Sequence, residues 1–73
     1  VELKNKIKSW RHKLEIDSQK EFAKILDVDQ SQINRWEKQK IQPDLKTAWK
    51  IAESLTQITK KKVYIEDLFE SSE

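Results

Sequence analysis

Gln30, Ser31, Asn34, Arg35 and Lys38 are amide, hydroxyl and cationic side chains that recur at helical spacing. Their chemistry is hydrogen bonding and charge pairing rather than bond breaking. At about 100° per residue, Ile33 and Trp36 set a buried direction, and Ser31, Asn34, Arg35 and Lys38 fall within ~50° of its opposite. Gln30 lies at the edge of that face but leads at the helix N-terminus, while Gln32 points to the other side. Gln can pair with adenine, Arg with guanine and Ser with several groups, so the row suits base edges and phosphates in a DNA major groove. Catalysis has no comparable support. The chain has no Cys, one His and no Gly, so it offers no nucleophile–base constellation, no thiolate metal site and no glycine cradle for phosphate. His12 has no metal-binding partner in the sequence, and Glu15, Glu53, Glu66 and Glu70 read as solvated carboxylates. No enzyme activity, metal, cofactor or small-molecule ligand is expected of this chain.

A helix can read a groove only if its back is held. Residues 18–37 read as two short helices joined by a tight turn, with Phe22, Ala23, Leu26, Val28, Ile33 and Trp36 pointing into one shared cleft. Ala23 is small enough to let the second helix cross close over the first. Ser18 with Glu21, and Asp29 with Gln32, have the spacing of capping boxes, which satisfy free amides at a helix start. Around this pair, Leu3, Ile7, Trp10 and Leu14 form one amphipathic stripe. Pro43 breaks the chain and Asp44 caps a further helix. Its inner face is Leu45, Ala48, Trp49, Ala52 and Leu55, with Ile51 beside it. Trp36 and Trp49 are expected in the core, and Trp10 in the core or an interface. Lys60–Lys62 reads as a solvated loop, and Val63 and Tyr64 as extended or packed. The expected fold is all-α, with helices over residues 2–14, 19–26, 30–37, 45–57 and 65–70. One domain should cover 1–70, with a frayed tail at 71–73.

Seventy-three residues make one small domain, which buries only roughly 60% of the surface its unfolded chain exposes. Well-packed helices or a partner must compensate. No apolar run approaches the ~20 residues of a membrane span, no signal-peptide core opens the chain, and a cytoplasmic location is expected. The chain opens on Val1 rather than Met, so further residues are expected on either side. Net charge is only +2, and its distribution says more. Residues 1–15 carry five basic and two acidic groups, whereas 44–73 carry five and six, so the N-terminal half is the positive one. Without Gly, Asp27 and Gln39 are the candidates for the left-handed positions that end helices. Asp adopts that conformation more readily than Gln.

These pieces together resemble the Cro/CI-type (XRE, lambda-repressor-like) helix-turn-helix domains. The matching stretches are Ser18–Ala23, Leu26–Ile33, Arg35-Trp36-Glu37, Pro43-Asp44-Leu45, Lys50-Ile51-Ala52 and Asp67-Leu68-Phe69, within a span from Leu3 to about Phe69. The resemblance implies a five-helix domain, a homodimer on double-stranded operator DNA, and regulation of transcription, most simply as a repressor. It implies base reading by Gln30, Ser31 and Arg35, with Asn34 beside them, and phosphate binding by Ser18, Gln19, Lys20, Lys38 and Lys40. It further implies an ion pair of Arg11 with Glu37, tying the first helix to the third. The family's usual Gly is replaced by Asp27, and often-seen Gly by Gln39. Asp27 and Asp29 set negative charge near the DNA side. The chain is one residue longer between Leu14 and Ser18, and several longer between Leu55 and Asp67. Tyr64, Leu68 and Phe69, an aromatic and aliphatic cluster beside that longer segment, are the expected dimer contact. A protein-interaction module on the same scaffold is the alternative, since fold does not fix function.

Overall fold

The computed structural model describes residues 2–72. Strand β1 (Glu2–Asn5) leads into helices α1 (Ile7–Lys13), α2 (Gln19–Leu26), α3 (Gln30–Glu37) and α4 (Leu45–Thr59). A 3-10 turn (Ile65–Leu68) and strand β2 (Phe69–Ser72) complete the chain. The fold is therefore mostly helical, with a small two-stranded sheet. No helix among the described residues is long and apolar enough to cross a membrane.

The expectation of five helices fails at both ends for one reason. β1 and β2 pair antiparallel, with Leu3 opposite Ser71 and Asn5 opposite Phe69, and the Lys6 amide donates to the Leu68 carbonyl at 2.7 Å. Backbone groups that an isolated helix end would leave to water are satisfied across the two termini instead. The first helix accordingly starts at Ile7 rather than residue 2, and the last is one 3-10 turn that stops at Leu68. Ser71 and Ser72 are paired backbone, not a frayed tail; Glu73 lies outside the described residues.

The core is Ile7, Phe22, Leu26, Ile33, Trp36, Ile51, Leu55, Val63 and Leu68, with Ala23, Ala48 and Ala52 where helices approach closely. α4 buries Ala48, Ile51, Ala52 and Leu55. Trp49 stands about 110° from the middle of that stripe. It is 60% exposed, so its expected place in the core is wrong. Its indole N–H donates to Glu53 Oε1 at 2.8 Å on the outer face. Leu45, in the first turn of α4, is also exposed at 73%.

Two of the three expected caps use their side chains. Ser18 Oγ accepts from the Glu21 amide at 3.2 Å, and Asp44 Oδ1 from the Thr47 amide at 2.8 Å. Asp29 has the extended cap backbone but makes no side-chain cap bond. The Gln32 amide that its carboxylate would take already donates to the Asp29 carbonyl at 3.0 Å.

Each α-helix ends at or just before a left-handed residue, and none is Gly: Glu15, Asp27, Gln39 and Lys60 have φ of 57–61°. The amides of Ile16, Val28 and Lys40 close the ends of α1, α2 and α3 on the carbonyls of Arg11, Ala23 and Arg35, the Schellman pattern. Gln39 has a further reason to be there. Its side-chain amide accepts from the Asn5 N–H and donates to the Asn5 C=O, both at 3.0 Å. It thereby stands in for a neighbouring strand on the open edge of β1. Asn5, 4% exposed, completes the junction. Its Nδ2 donates to the Trp36 carbonyl at 2.8 Å and to Gln42 Oε1 at 2.7 Å. Its Oδ1 accepts from the Ile7 amide at 3.2 Å, starting α1. No buried side-chain N or O among the described residues lacks a partner.

The left-handed backbone alone would make Gly welcome at positions 39 and 60. Gln39→Gly also removes two bonds to Asn5, so it should be less stable than Lys60→Gly by about 1–2 kcal/mol. Urea denaturation of the two variants checks this; equal stabilities would mean that the Gln39 side chain contributes nothing to the β1 edge.

Candidate nucleic-acid interface

α2 and α3 pack through Phe22, Ala23, Leu26, Ile33 and Trp36, all buried. Ala23, 4% exposed, occupies the crossing. Burial of Ile33 and Trp36 fixes the roll of α3 and turns Gln30, Ser31 and Arg35 to solvent, with Asn34 half-buried at the edge. Lys38 and Lys40, just after α3, are exposed; at the start of α2, Ser18 and Lys20 are exposed and Gln19 is half-buried. Lys20, Arg35, Lys38 and Lys40 take part in no ion pair among the described residues. Asp27 does: Lys50 Nζ lies 3.3 Å from its carboxylate and donates to its carbonyl at 2.8 Å. Part of the negative charge of the turn is thereby offset, although an exposed pair of this kind contributes little to stability.

Behind this face, Arg11 and Glu37 meet. Arg11 Nε donates to Glu37 Oε2 at 2.7 Å and Nη2 to Oε1 at 3.1 Å. Only 9% and 5% of the two side chains are exposed. Arg11 Nη1 donates to the Ile16 and Asp17 carbonyls at 3.0 and 2.9 Å, pinning the α1–α2 connection. Gln19 Nε2 donates to Glu37 Oε1 at 3.1 Å. One carboxylate thus ties α1, the start of α2 and the end of α3. Burial pushes the Glu37 carboxyl up, but its hydrogen bonds from Arg11 and Gln19 and the charges of Arg11 and Lys8 outweigh that and hold it below 4.5. The hydrogen bond to Glu37 raises the Arg11 guanidinium in turn, against the opposing effect of burial.

The helix-turn-helix family model matches residues 7–57, well over half of the chain. The chain belongs to the Cro/CI-type helix-turn-helix family. No curated protein matches it. As a member of this family, the chain is a DNA-binding and non-catalytic domain. The matched segment includes α1 to α3 and most of α4, and leaves out β1, the 3-10 turn and β2.

Two features of this helix-turn-helix domain differ from the sequence-based expectation. Leu68 is fully buried in its own core, so it cannot be a dimer contact. Of the expected trio, Tyr64 is 53% exposed and Phe69 is half-buried against the core. Asn5 and Gln42, which brace the C-terminal end of α3, carry a structural role that sequence reasoning missed. Neither left a signal in the sequence: on a helix Asn5 would lie opposite the stripe of Leu3, Ile7, Trp10 and Leu14, and Gln42 falls in the connection between α3 and α4.

Removing one partner of a buried ion pair strands the other. Glu37→Gln should therefore cost about 3–5 kcal/mol at neutral pH, whereas Glu53→Ala on the outer face of α4 should stay within about 0.5 kcal/mol. Because the folded Glu37 titrates below its ordinary 4.5, its contribution is complete above that value and is lost as pH falls through the folded value. The stability gap between wild type and Glu37→Gln, measured by denaturation across pH, should close on acidification. A gap that stays constant below pH 4.5 would show that charge is not what Glu37 supplies.

Proposed function

We propose that this domain is a sequence-specific transcriptional regulator, a repressor, that inserts α3 into the major groove of double-stranded operator DNA. The observation that carries the reading is the α3 face itself. It is polar, cationic and exposed on a helix whose roll is fixed from behind by Ile33, Trp36 and Glu37. Gln30, Ser31 and Arg35 read base edges, with Asn34 beside them. Ser18, Gln19, Lys20, Lys38 and Lys40 hold the phosphates. The local chemistry supports these roles. Gln19 uses one N–H on Glu37 and keeps a second to donate, so a phosphate bound there is coupled to α3. Ser18 Oγ accepts from the Glu21 amide and retains its own O–H, at a helix N-terminus that favours anions. A regulator of this kind works in the cytoplasm of a prokaryotic or phage-infected cell.

Selection of bound duplexes from a random library tests the function as a whole, and a palindromic consensus is the expected result. The contact roles separate by salt and sequence. Arg35→Ala should cost about 1–3 kcal/mol on the selected site and relax preference at one base position. Lys38→Ala should weaken all duplexes alike and reduce the salt slope by about one unit. Inverted behaviour would exchange the two roles, and no effect from either would favour a protein-interaction module.

The domain binds as a two-fold dimer on half-sites about one helical turn apart. With Leu68 committed to the core, Tyr64 and Phe69 are joined by Trp49, which lines a cleft with Tyr64, Ile65 and Lys62. Sedimentation on a saturating operator duplex should give two chains per duplex for the wild type and a loss of the second for Trp49→Glu. One wild-type chain at saturation would overturn the dimer.

A further inference from the structure

The Lys60–Lys62 run lies in the segment that is longer than the family pattern, and the DNA reading leaves it unused. In the fold it is not a loose loop. Lys60 is left-handed at φ 61°, and two threonines from the last turns of α4 hold the residues after it. Thr59 Oγ1 donates to the Leu55 carbonyl at 2.8 Å and accepts from the Lys61 amide at 3.3 Å. Thr56 Oγ1 accepts from the Val63 amide at 2.9 Å. The segment is set against α1, and a groove of about 570 Å³ runs between them. Four lysines from two distant parts of the chain line it, Lys6, Lys13, Lys61 and Lys62, together with Trp10 and Val63.

The groove has a defined build. Trp10 is fixed by its indole N–H, which donates to the Asp67 carbonyl at 3.0 Å. Lys13 Nζ sits 4.9 Å from the Trp10 ring centroid, a contact that holds a cation in place by the ring's negative face; Lys62 borders both this groove and the neighbouring cleft, where its Nζ sits 5.6 Å from the Tyr64 ring centroid. Asp67 is the one carboxylate in the lining, and its Oδ2 is engaged by the Tyr64 amide at 2.9 Å. None of the four lysines has an ion-pair partner among the described residues. Four lysines beside one carboxylate leave the groove net positive, and a bound polyanion relieves the repulsion among them. No residue of α2 or α3 lines the groove, so it is separate from the DNA face. Its volume, about 570 Å³, is that of a small-molecule site.

We propose that this groove binds a small polyphosphorylated anion of the nucleoside polyphosphate class, with Lys6, Lys13, Lys61 and Lys62 on the phosphate chain and Trp10 and Val63 against its apolar part. A pre-set loop loses little freedom on binding, and lysines serve phosphates as point charges. The site departs from the expectation that the chain binds no small molecule, and it stands independently of the DNA reading. Titration of the isotope-labelled protein with ATP, tripolyphosphate, adenosine and a tetraglutamate peptide at low ionic strength, followed by NMR, tests it. ATP and tripolyphosphate should shift the Trp10 indole and the Lys61–Val63 amides saturably, and adenosine should not. Lys13→Gln and Lys61→Gln should each weaken ATP roughly tenfold, and Lys38→Gln should leave it unchanged. Shifts gathered on Lys20, Arg35 and Lys38, no saturable binding, or tetraglutamate binding as tightly as ATP would each overturn the proposal.

Discussion

The Glu37 carboxylate is the constraint on which the arrangement of α1, α2 and α3 depends. It lies at the C-terminal end of α3, where the helix dipole disfavours a negative charge. Arg11 compensates with two parallel bonds, the geometry in which a guanidinium matches a carboxylate best. The same guanidinium closes the α1–α2 connection through the Ile16 and Asp17 carbonyls, and Gln19 adds the start of α2. A buried charge of this sort stabilises little in net terms compared with an apolar pair. Its contribution is geometric, because one carboxylate can satisfy all its partners in a single arrangement of the three helices.

A second junction braces α3 from the other side. Asn5 and Gln39 form an amide pair that extends β1 by side-chain rather than backbone bonding, and Asn5 also takes the Trp36 carbonyl. The C-terminal end of α3 is therefore held both by the ion pair with α1 and by the amides at the strand edge. This accounts for Gln at a left-handed position where Gly would cost less conformationally. The backbone strain there, of order 1 kcal/mol, is offset by bonds that Gly could not make.

The exposed cations fall into two groups on the surface. The cations on the α3 face stand over a polar helix, where exposed side chains can meet a duplex. Lys6, Lys13, Lys61 and Lys62 line a groove between α1 and the end of α4. A near-neutral total conceals both, since the thirteen acidic residues are distributed along the whole chain. The aromatic residues follow a similar division. Trp36 is in the core at 2% exposure, whereas Trp49 lies outside it at 60%, on the cleft it shares with Tyr64.

The helix-turn-helix pair was legible in the sequence because its signals are local. Ser18 and Asp44 cap by bonds that reach three residues, and the periodicity of Phe22, Leu26, Ile33 and Trp36 sets the roll of α2 and α3 without help from elsewhere. The exposure of Gln30, Ser31 and Arg35 follows from that roll. The termini were not legible, because β1 exists only through its pairing with β2 at the far end of the chain. Residues 2–5 could continue an amphipathic helix as easily as form a strand. Likewise, Trp49 fits the apolar stripe of α4, and Leu68 an exposed cluster with Tyr64 and Phe69. Which of them is buried depended on how α4 rolls against the 3-10 turn, and that is decided by packing between segments rather than within one. The lysine groove is of the same kind: local sequence determined that Lys60–Lys62 would be charged and exposed, and only the tertiary structure brought it opposite Lys6 and Lys13.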